Sequence, residues 1–241
     1  MTLSWKRLSA IMQKEWKDFL RNAQVLVMVL MPVIFAFVFS KIPVDAGEEG
    51  EAYIFLVMPV LMALTMTGAF VQAMMIAEEK EKNTLRVLML SPATSFEVLL
   101  GKSVLSFALT LLTIGGCVAV SGQTIGAPLL FITMSILSVI VFVALGTVIG
   151  LISKSLQDTS ITGLPIMFLF LMGPIFSPML NIDWLTTVLN IFPTQHFMDG
   201  SEQLFQGGSF NDVKAHMLNI GIWMVGAVIV SFLVYRKKRF D

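Results

Sequence analysis

The chain of 241 residues is 56% hydrophobic and only 13% charged, and its mean hydropathy is +0.83. A water-soluble domain carries about 25% charged residues, and so small a charged fraction does not cover the exterior of a soluble fold of this size. The formal net charge is zero, so no overall basic field favours nucleic acid. With Cys117 as the single cysteine, an internal disulfide is excluded. The composition predicts an integral membrane protein.

The first 22 residues precede any apolar run and are amphipathic. Basic residues occupy most of one helical face, and apolar ones lie on the other, at Trp5, Leu8, Met12, Trp16, Phe19 and Leu20. This pattern is typical of a helix that lies flat at the membrane interface. The alternative is a basic tail that only sets the topology. The segment is too long for a signal peptide, and no cleavage site follows, so we expect it to be retained.

Six later runs are long enough to cross the hydrocarbon, which takes about 20 apolar residues per helix. They cover residues 24–40, 52–77, 103–121, 128–152, 161–180 and 217–235. None of them contains Asp, Glu, Lys or Arg, as expected if a central charge costs about 2.5–3.5 kcal/mol. The sequence thus predicts a single all-α membrane domain with six transmembrane helices.

The basic residues indicate the orientation. With six spans, 14 of the 16 Lys and Arg residues fall on one side, and only Lys41 and Lys214 fall on the other. The positive-inside rule then places both termini in the cytoplasm, for a multi-pass protein of the cell membrane. An acidic cluster falls outside, at Asp45, Glu48, Glu49 and Glu51.

Two connecting segments have helical patterns of their own. Residues 78–102 form the longest cytoplasmic connection, with apolar positions at helical spacing before Ser91-Pro92. They predict a short amphipathic helix under the membrane, or alternatively a solvated charge run and a turn. Residues 181–216 are external and hold two apolar stripes separated by Pro193. They predict two short re-entrant helices rather than an exposed loop.

Catalytic patterns are missing. Gly101-Lys102-Ser103 resembles the end of a phosphate-binding loop, but Phe96 stands where that motif needs glycine. His196 and His216 are too far apart for a helical metal pair, and we expect each to be a surface or interfacial histidine. We predict no enzyme activity and no metal site here, and any nucleotide chemistry belongs to another chain.

Polar residues within the spans have two interpretations. Thr65, Thr67 and Gln72 lie in the second span and could line a substrate path, although helix packing is the commoner role of such residues. Gly146 and Gly150 form GxxxG in the fourth span, which permits close helix approach inside the chain or across a dimer. We favour packing for both sets.

The order of these segments resembles that of the type-2 ABC transporter permease family. The residues that carry the resemblance are EKEKNTLRVLMLSPATSFEVLLGK, from Glu79 to Lys102, with Asn83 where the family usually has glycine. A second stretch, FLMGPIFSPMLNIDWLTTVLNIFPTQHFMDG, is similar to the family's fifth span and external helices, with Phe192-Pro193-Thr194 in place of the usual Asn-Pro-Leu.

The resemblance implies a permease that dimerises, with each copy docked on a cytoplasmic ATPase that holds ATP and Mg. The amphipathic segment 79–90 would be the family's coupling helix, and residues 3–21 its elbow helix. The residues that would contact the ATPase are Glu79, Thr84, Leu85, Arg86, Leu88 and Met89.

The cargo is predicted from the span composition. Fixed charges are missing from the spans, whereas Met and Phe are abundant, which suits an apolar or amphipathic compound such as a drug, peptide or lipid. Trp184, Phe192 and Phe197 could gate its exit or merely anchor the outer interface. Three alternatives stay open: a sensing or immunity subunit, cation efflux through the acidic cluster, and ion-coupled transport, which would need ionisable residues in the spans.

Overall fold

The computed structural model describes residues 5–43, 53–82, 95–180 and 183–238, and within these ranges all regular structure is helical. The helices are α1 Trp5–Arg21, α2 Ala23–Phe39, α3 Ile54–Glu81, α4 Ser95–Ser121, α5 Pro128–Ile152, α6 Leu156–Leu180, α7 Asp183–Leu189, α8 Pro193–Phe205 and α9 Phe210–Lys238. The predicted all-α membrane fold is therefore confirmed.

Five of these helices, α3, α4, α5, α6 and α9, are long and apolar enough to cross a membrane. The helix α2 has only 17 residues, and it passes the same test together with the second half of α1. The two meet at an angle of 82° at Asn22. The described part of the chain thus holds five spans, or six if the bent pair counts as one.

The bend at Asn22 follows from local chemistry. The backbone of Asn22 is extended, and its side-chain oxygen accepts a hydrogen bond from the Val25 amide at 3.2 Å. This is an N-cap, which satisfies one of the free amides at the start of α2. Pro128 and Pro193 similarly occupy the first turns of α5 and α8, where a missing N–H does no harm.

The centre of the bundle is built on α3 and α5. Most of α3 is buried, and α5 packs against both α3 and α9. Gly146 and Gly150 face α3, and a Cβ atom at Gly146 would come within 2.8 Å of Ala69 Cα. The GxxxG pair therefore serves packing within the chain. Opposite Gly146, residues Ala63–Val71 of α3 adopt a π-helical conformation, a feature often found where helices meet at functional sites.

Several helices extend beyond the predicted spans. We expected the third span to begin at residue 103, but α4 begins at Ser95 and includes Glu97 and Lys102. The last span was expected over 217–235, and α9 covers Phe210–Lys238. An apolar run marks only the part of a helix that lies in hydrocarbon. The helix continues beyond the run because its backbone hydrogen bonds also form in the polar residues at each end, whose charged side chains are paired or exposed.

Some predictions fall on residues outside the described ranges. These are the coupling residues Thr84, Leu85, Arg86, Leu88 and Met89, and the acidic cluster Asp45, Glu48, Glu49 and Glu51. Glu79 is the predicted coupling residue that the structure describes.

Candidate functional site

The end of α3 that leads into residues 83–94 carries a cluster of charges, three of them buried and the fourth, Lys14, partly exposed. Lys102 of α4 is only 2% exposed and pairs with Glu15 of α1, whose Oε1 lies 2.8 Å from its Nζ. Lys102 also pairs with Glu79 of α3, and Lys14 of α1 pairs with both Glu15 and Glu79. Two ammonium groups and two carboxylates thus alternate in one site, where each charge compensates its neighbours. We call these four residues the ionic cluster.

The same end of α3 also contacts two further helices, α5 and α6. Lys80 Nζ donates hydrogen bonds to the carbonyl oxygens of Leu151 at 2.7 Å and Ser153 at 2.8 Å, which lie at the end of α5. A cation at a helix C-terminus is favoured by the helix dipole. Glu81 Oε2 accepts from the Leu156 amide at 2.9 Å and so caps the start of α6.

Glu78 connects the same end of α3 to the bend between α1 and α2. Glu78 accepts a hydrogen bond at 3.3 Å from the amide side chain of Asn22, the residue at the bend between α1 and α2. Glu78 also pairs with Lys82 at 2.6 Å. Residues 78–82 thus contact α1, α2, α4, α5 and α6, so a displacement of this end of α3 acts on most of the bundle.

A charged cavity of about 600 Å³ lies beside the ionic cluster. It is bounded by α1, the bend at Asn22 and the last turns of α3, and its walls include Arg21 and Met75. The cavity and the cluster together make this end of the bundle its most polar region within the described residues.

Gln72 holds a second polar group deep among the spans. It is fully buried, and its Nε2 donates to Thr147 Oγ1 of α5 at 3.0 Å and to Ser103 Oγ of α4 at 3.4 Å. Its Oε1 accepts from Ser106 Oγ at 2.5 Å. One amide therefore joins α3 to α4 and α5 through three hydrogen bonds, two that it donates and one that it accepts.

The other two residues predicted for the substrate path are also buried. Thr65 Oγ1 donates to the Leu61 carbonyl at 2.9 Å within its own helix, and Thr67 Oγ1 donates to the Met28 carbonyl of α2 at 3.4 Å. In this conformation Thr65, Thr67 and Gln72 make contacts within and between helices. These contacts are those expected of residues that pack helices together. A substrate path along the same residues stays a prediction.

The three aromatic residues predicted as an external gate lie in different surroundings. Trp184 of α7 is 70% exposed, whereas Phe197 of α8 is fully buried, with its ring centroid 5.7 Å from that of Phe131. Phe192 stacks on Phe170 at 4.7 Å and meets the edge of Trp223 at 6.1 Å. Among the described residues, no ring contact joins these three aromatics to one another. Their role as a gate stays a prediction for another conformation.

The two histidines are paired, which the sequence interpretation did not anticipate. We expected each to be a separate surface or interfacial residue, but α8 and α9 pack together and bring the Nδ1 atoms of His196 and His216 to 2.9 Å. Gln203 Nε2 lies 3.4 Å from Nε2 of His216. Burial, and then the neighbouring His216, lower the pKa of His196. Spacing along the chain could not reveal this pair, because it is formed by tertiary packing.

The opposite end of α3 contacts the short helix α8. Tyr53 donates a hydrogen bond from its hydroxyl to Glu202 Oε2 at 3.1 Å, and its ring lies 6.4 Å from that of Phe205. A single helix thus links the ionic cluster at one end of the bundle to α8 at the other.

Groups of three or more His, Cys, Asp or Glu side chains able to hold a metal ion are not found in the described part of the chain. The triplet Gly101-Lys102-Ser103 lies inside α4, and its lysine is committed to Glu15 and Glu79. Sequence reasoning missed the ionic cluster because it counted Lys14 and Lys102 only as topology signals. The available signal was a lysine directly before an apolar run, together with Glu15 within the amphipathic first segment and Glu79 just after the second span.

The comparisons with known proteins agree with this architecture. The family described as "ABC-2 type transporter" matches residues 6–205. Two curated relatives are named "Probable multidrug ABC transporter permease YbhR", one from Escherichia coli (strain K12) and one from Escherichia coli O157:H7. Each is 28% identical to this chain over 166 residues, which cover 64% of this chain and 44% of the relative. The chain therefore spans less than half the length of these relatives. The match over residues 6–205 confirms the resemblance found in the sequence, and the chain belongs to the ABC-2 type transporter family.

Proposed function

We propose that this chain is the transmembrane permease of an ATP-driven exporter, which moves an apolar or amphipathic compound out of the cytoplasm or the inner leaflet. ATP and Mg would be bound and used by a separate cytoplasmic ATPase subunit, and the chain itself would carry out no catalysis. Two permease copies, identical or related, would enclose the path. The end of the bundle with the ionic cluster would face the cytoplasm in the cell membrane, since it holds most of the basic residues.

The observation that carries the proposal is the position of residues 78–82. They lie at the start of the predicted coupling segment, and they bond to α2, α5 and α6 while Glu79 joins the ionic cluster with α1 and α4. A push on residues 83–94 by an ATPase would first reach this end of α3. Because α3 continues to Tyr53 and its contact with α8, the same push could reach the external end.

The cargo class is supported by the spans and by the printed name of the relatives. Fixed charges in the described spans are confined to helix ends, such as the ionic cluster. The middle of the spans holds apolar side chains and uncharged polar ones such as Gln72. The relatives are called multidrug permeases, and many drugs are apolar or amphipathic. The alternative of cation efflux relies on the acidic cluster, which lies in a loop and would not line a path through the membrane. The alternative of a sensing subunit is supported by no observation on this chain.

The coupling step is tested with Leu88→Asp in cells that express the chain with its ATPase. An unpaired charge in an apolar contact costs several kcal/mol, so the variant should reach the membrane but lose ATPase pull-down and substrate-stimulated ATP hydrolysis. Ser155→Asp is the matched control, because it adds the same charge at the start of α6, where aspartate caps a helix as well as serine does. If Leu88→Asp keeps both pull-down and stimulation, residue 88 does not dock in the ATPase.

A further inference from the structure

A second cavity opens on the outer surface of the bundle, away from the charged one. It is a groove of about 370 Å³ between α4, α5 and α9. Its walls are apolar side chains from all three helices, including Leu100, Val104, Phe107, Val143, Val228 and Phe232. Val228 and Phe232 are 45% and 40% exposed, so the groove faces the surroundings of the protein rather than its core. In a helix bundle that spans a membrane, those surroundings are lipid.

The few hydroxyl groups in the groove are already used by the chain. Thr147 Oγ1 donates to the Val143 carbonyl at 2.9 Å and accepts from Gln72. Ser231 Oγ donates to the Val228 carbonyl at 2.8 Å, and Ser103 Oγ accepts from Gln72 at 3.4 Å. A polar solute would gain little from such a surface while losing its hydration. The groove therefore suits a hydrocarbon chain.

Basic side chains lie one turn beyond the groove. The segment Val228–Phe232 of α9 is followed by Arg236 and Lys237, and both of these are exposed. The Arg236 guanidinium carbon is 6.0 Å from the centroid of the Phe232 ring, which is itself a wall of the groove. Lys and Arg at the end of a spanning helix lie at the depth of the lipid headgroups. An occupant with an acyl tail in the groove would place its headgroup beside Arg236, whereas Lys237 lies on the opposite face of α9 from Val228.

We propose that this groove binds one acyl chain of an anionic phospholipid, whose phosphate is held by Arg236. The lipid would come from the cytoplasmic leaflet, a detail that rests on the orientation proposed above. Because Ser103 and Thr147 bond to Gln72, the bound tail contacts the same hydroxyl-bearing residues that fix α3 to α4 and α5. The lipid is thus a structural ligand of the helices that surround α3.

The test uses the purified full chain in phosphatidylcholine nanodiscs, without any ATPase. A trace of phospholipid with a diazirine on its acyl chain is added, carrying either a phosphatidylglycerol or a phosphatidylcholine headgroup. After illumination, the labelled residues are mapped by mass spectrometry. We expect the phosphatidylglycerol probe to label the groove segments of α4, α5 and α9 in preference to other lipid-facing residues.

Matched variants separate the tail site from the headgroup site. Val228→Trp fills the groove from α9, and Ala144→Leu narrows it from α5 in case the larger residue disturbs folding; both should abolish groove labelling. Ile222→Trp is the control, since Ile222 is 64% exposed on α9 and is not among the groove walls. Arg236→Ala should reduce the phosphatidylglycerol labelling by roughly fivefold, the effect of losing about 1 kcal/mol for a basic residue at an anionic surface. Lys237→Ala is the matched control, because Lys237 lies on the opposite face of α9 from Val228, and it should leave the labelling unchanged. Lys214→Ala at the other end of α9 should leave it unchanged.

Two results would overturn the proposal. One is equal groove labelling by the two headgroups, which would mean that only ordinary annular lipid is present. The other is groove labelling that survives in both Val228→Trp and Ala144→Leu while the proteins elute as the unmodified chain does. Because no ATPase takes part in this experiment, either result would contradict the lipid site without contradicting the proposed export function, which is tested separately.

Discussion

At the scale of single residues, the important finding is a lysine that is buried yet fully paired. Lys102 contacts Glu15 and Glu79, which come from helices on either side of it. A lysine is almost never fully buried unless it is paired, and a pair is retained only when its geometry is good. The sequence predicted spans without charge, and that prediction holds for the middle of each helix. It could not reveal that the charges of α1 would meet those of α3 and α4, because Lys14 and Glu79 are separated by 65 residues along the chain, and Glu15 and Lys102 by 87.

Removing this lysine should destabilise the fold. Lys102→Met keeps the chain length of the side chain but leaves Glu15 and Glu79 short of a cation, and breaking a buried pair costs about 3–5 kcal/mol. The free energy of unfolding in detergent, measured by titration with a denaturant, should fall by about this amount. Lys82→Met is the matched control, because Lys82 pairs with Glu78 at the surface, and its loss should leave the unfolding curve almost unchanged. Equal curves for Lys102→Met and Lys82→Met would contradict a structural role for the ionic cluster.

At the scale of elements, α3 connects the two ends of the bundle. It bonds to α1, α4, α5 and α6 through its last turns and to α8 through Tyr53. In its middle, the Gly146 and Gly150 backbone of α5 lies directly against it. The two short helices α7 and α8 occupy the segment in which the sequence indicated external helices, and Pro193 begins the second one. The packing of α8 on α9 gives the structure its histidine pair, which sequence spacing alone argued against.

The histidine pair should make the stability of the α8–α9 contact depend on pH. Burial and the neighbouring His216 lower the pKa of His196 below its ordinary value of 6.5, while Asp199 opposes this shift. The folded chain therefore binds fewer protons than the unfolded chain in this range. The stabilisation that follows from this difference is complete above the pKa of His196 in the unfolded chain. It is lost as the pH falls toward the lower pKa that His196 has in the folded chain. The thermal unfolding midpoint should drop between about pH 7.5 and about pH 5.5, the range in which imidazoles titrate.

The control for this effect is His196→Asn, which keeps a polar side chain of similar reach but does not titrate. Its unfolding midpoint should change less with pH over the same range than that of the unmodified chain. A variant with the same pH dependence would show that groups other than His196 are responsible. Asp199 is not one of them, because burial raises its pKa and a raised carboxyl pKa stabilises the folded chain as pH falls.

At the scale of the whole molecule, composition and charge pattern predicted the class of fold, and the resemblance of the segment order and of residues 79–102 predicted the family; both are confirmed. The length of the apolar runs predicts the spanning helices, because a helix needs about 20 apolar residues to cross the hydrocarbon. The functional contacts were less accessible to sequence reasoning. Glu79, a predicted contact of the ATPase, bonds to Lys102 and Lys14 within this chain, and its role in coupling stays a prediction. The aromatic residues Phe192 and Phe197 were grouped by sequence proximity, whereas tertiary packing directs them to different partners.

The orientation of the whole chain is open to a direct labelling measurement. Ser209→Cys, in the turn between α8 and α9, should react with a membrane-impermeant maleimide in intact cells. Lys154→Cys, at the start of α6, should react only after the cells are opened. Cys117 is buried in α4 and should give no background. Labelling of residue 154 in intact cells would reverse the proposed orientation and remove the coupling segment from the reach of a cytoplasmic ATPase.

The most direct test of the proposed export function is a measurement of transport. The chain is reconstituted into proteoliposomes with its ATPase, and the movement of a fluorescent amphiphile and of monovalent cations is followed with and without ATP. We predict that the amphiphile moves only when ATP and the ATPase are both present, and that Leu88→Asp abolishes this movement. Cation movement should not depend on ATP. Movement of the cation alone, or no ATP-dependent movement of any amphiphile alongside an ATPase that binds and hydrolyses ATP, would contradict the proposal that this permease exports apolar compounds.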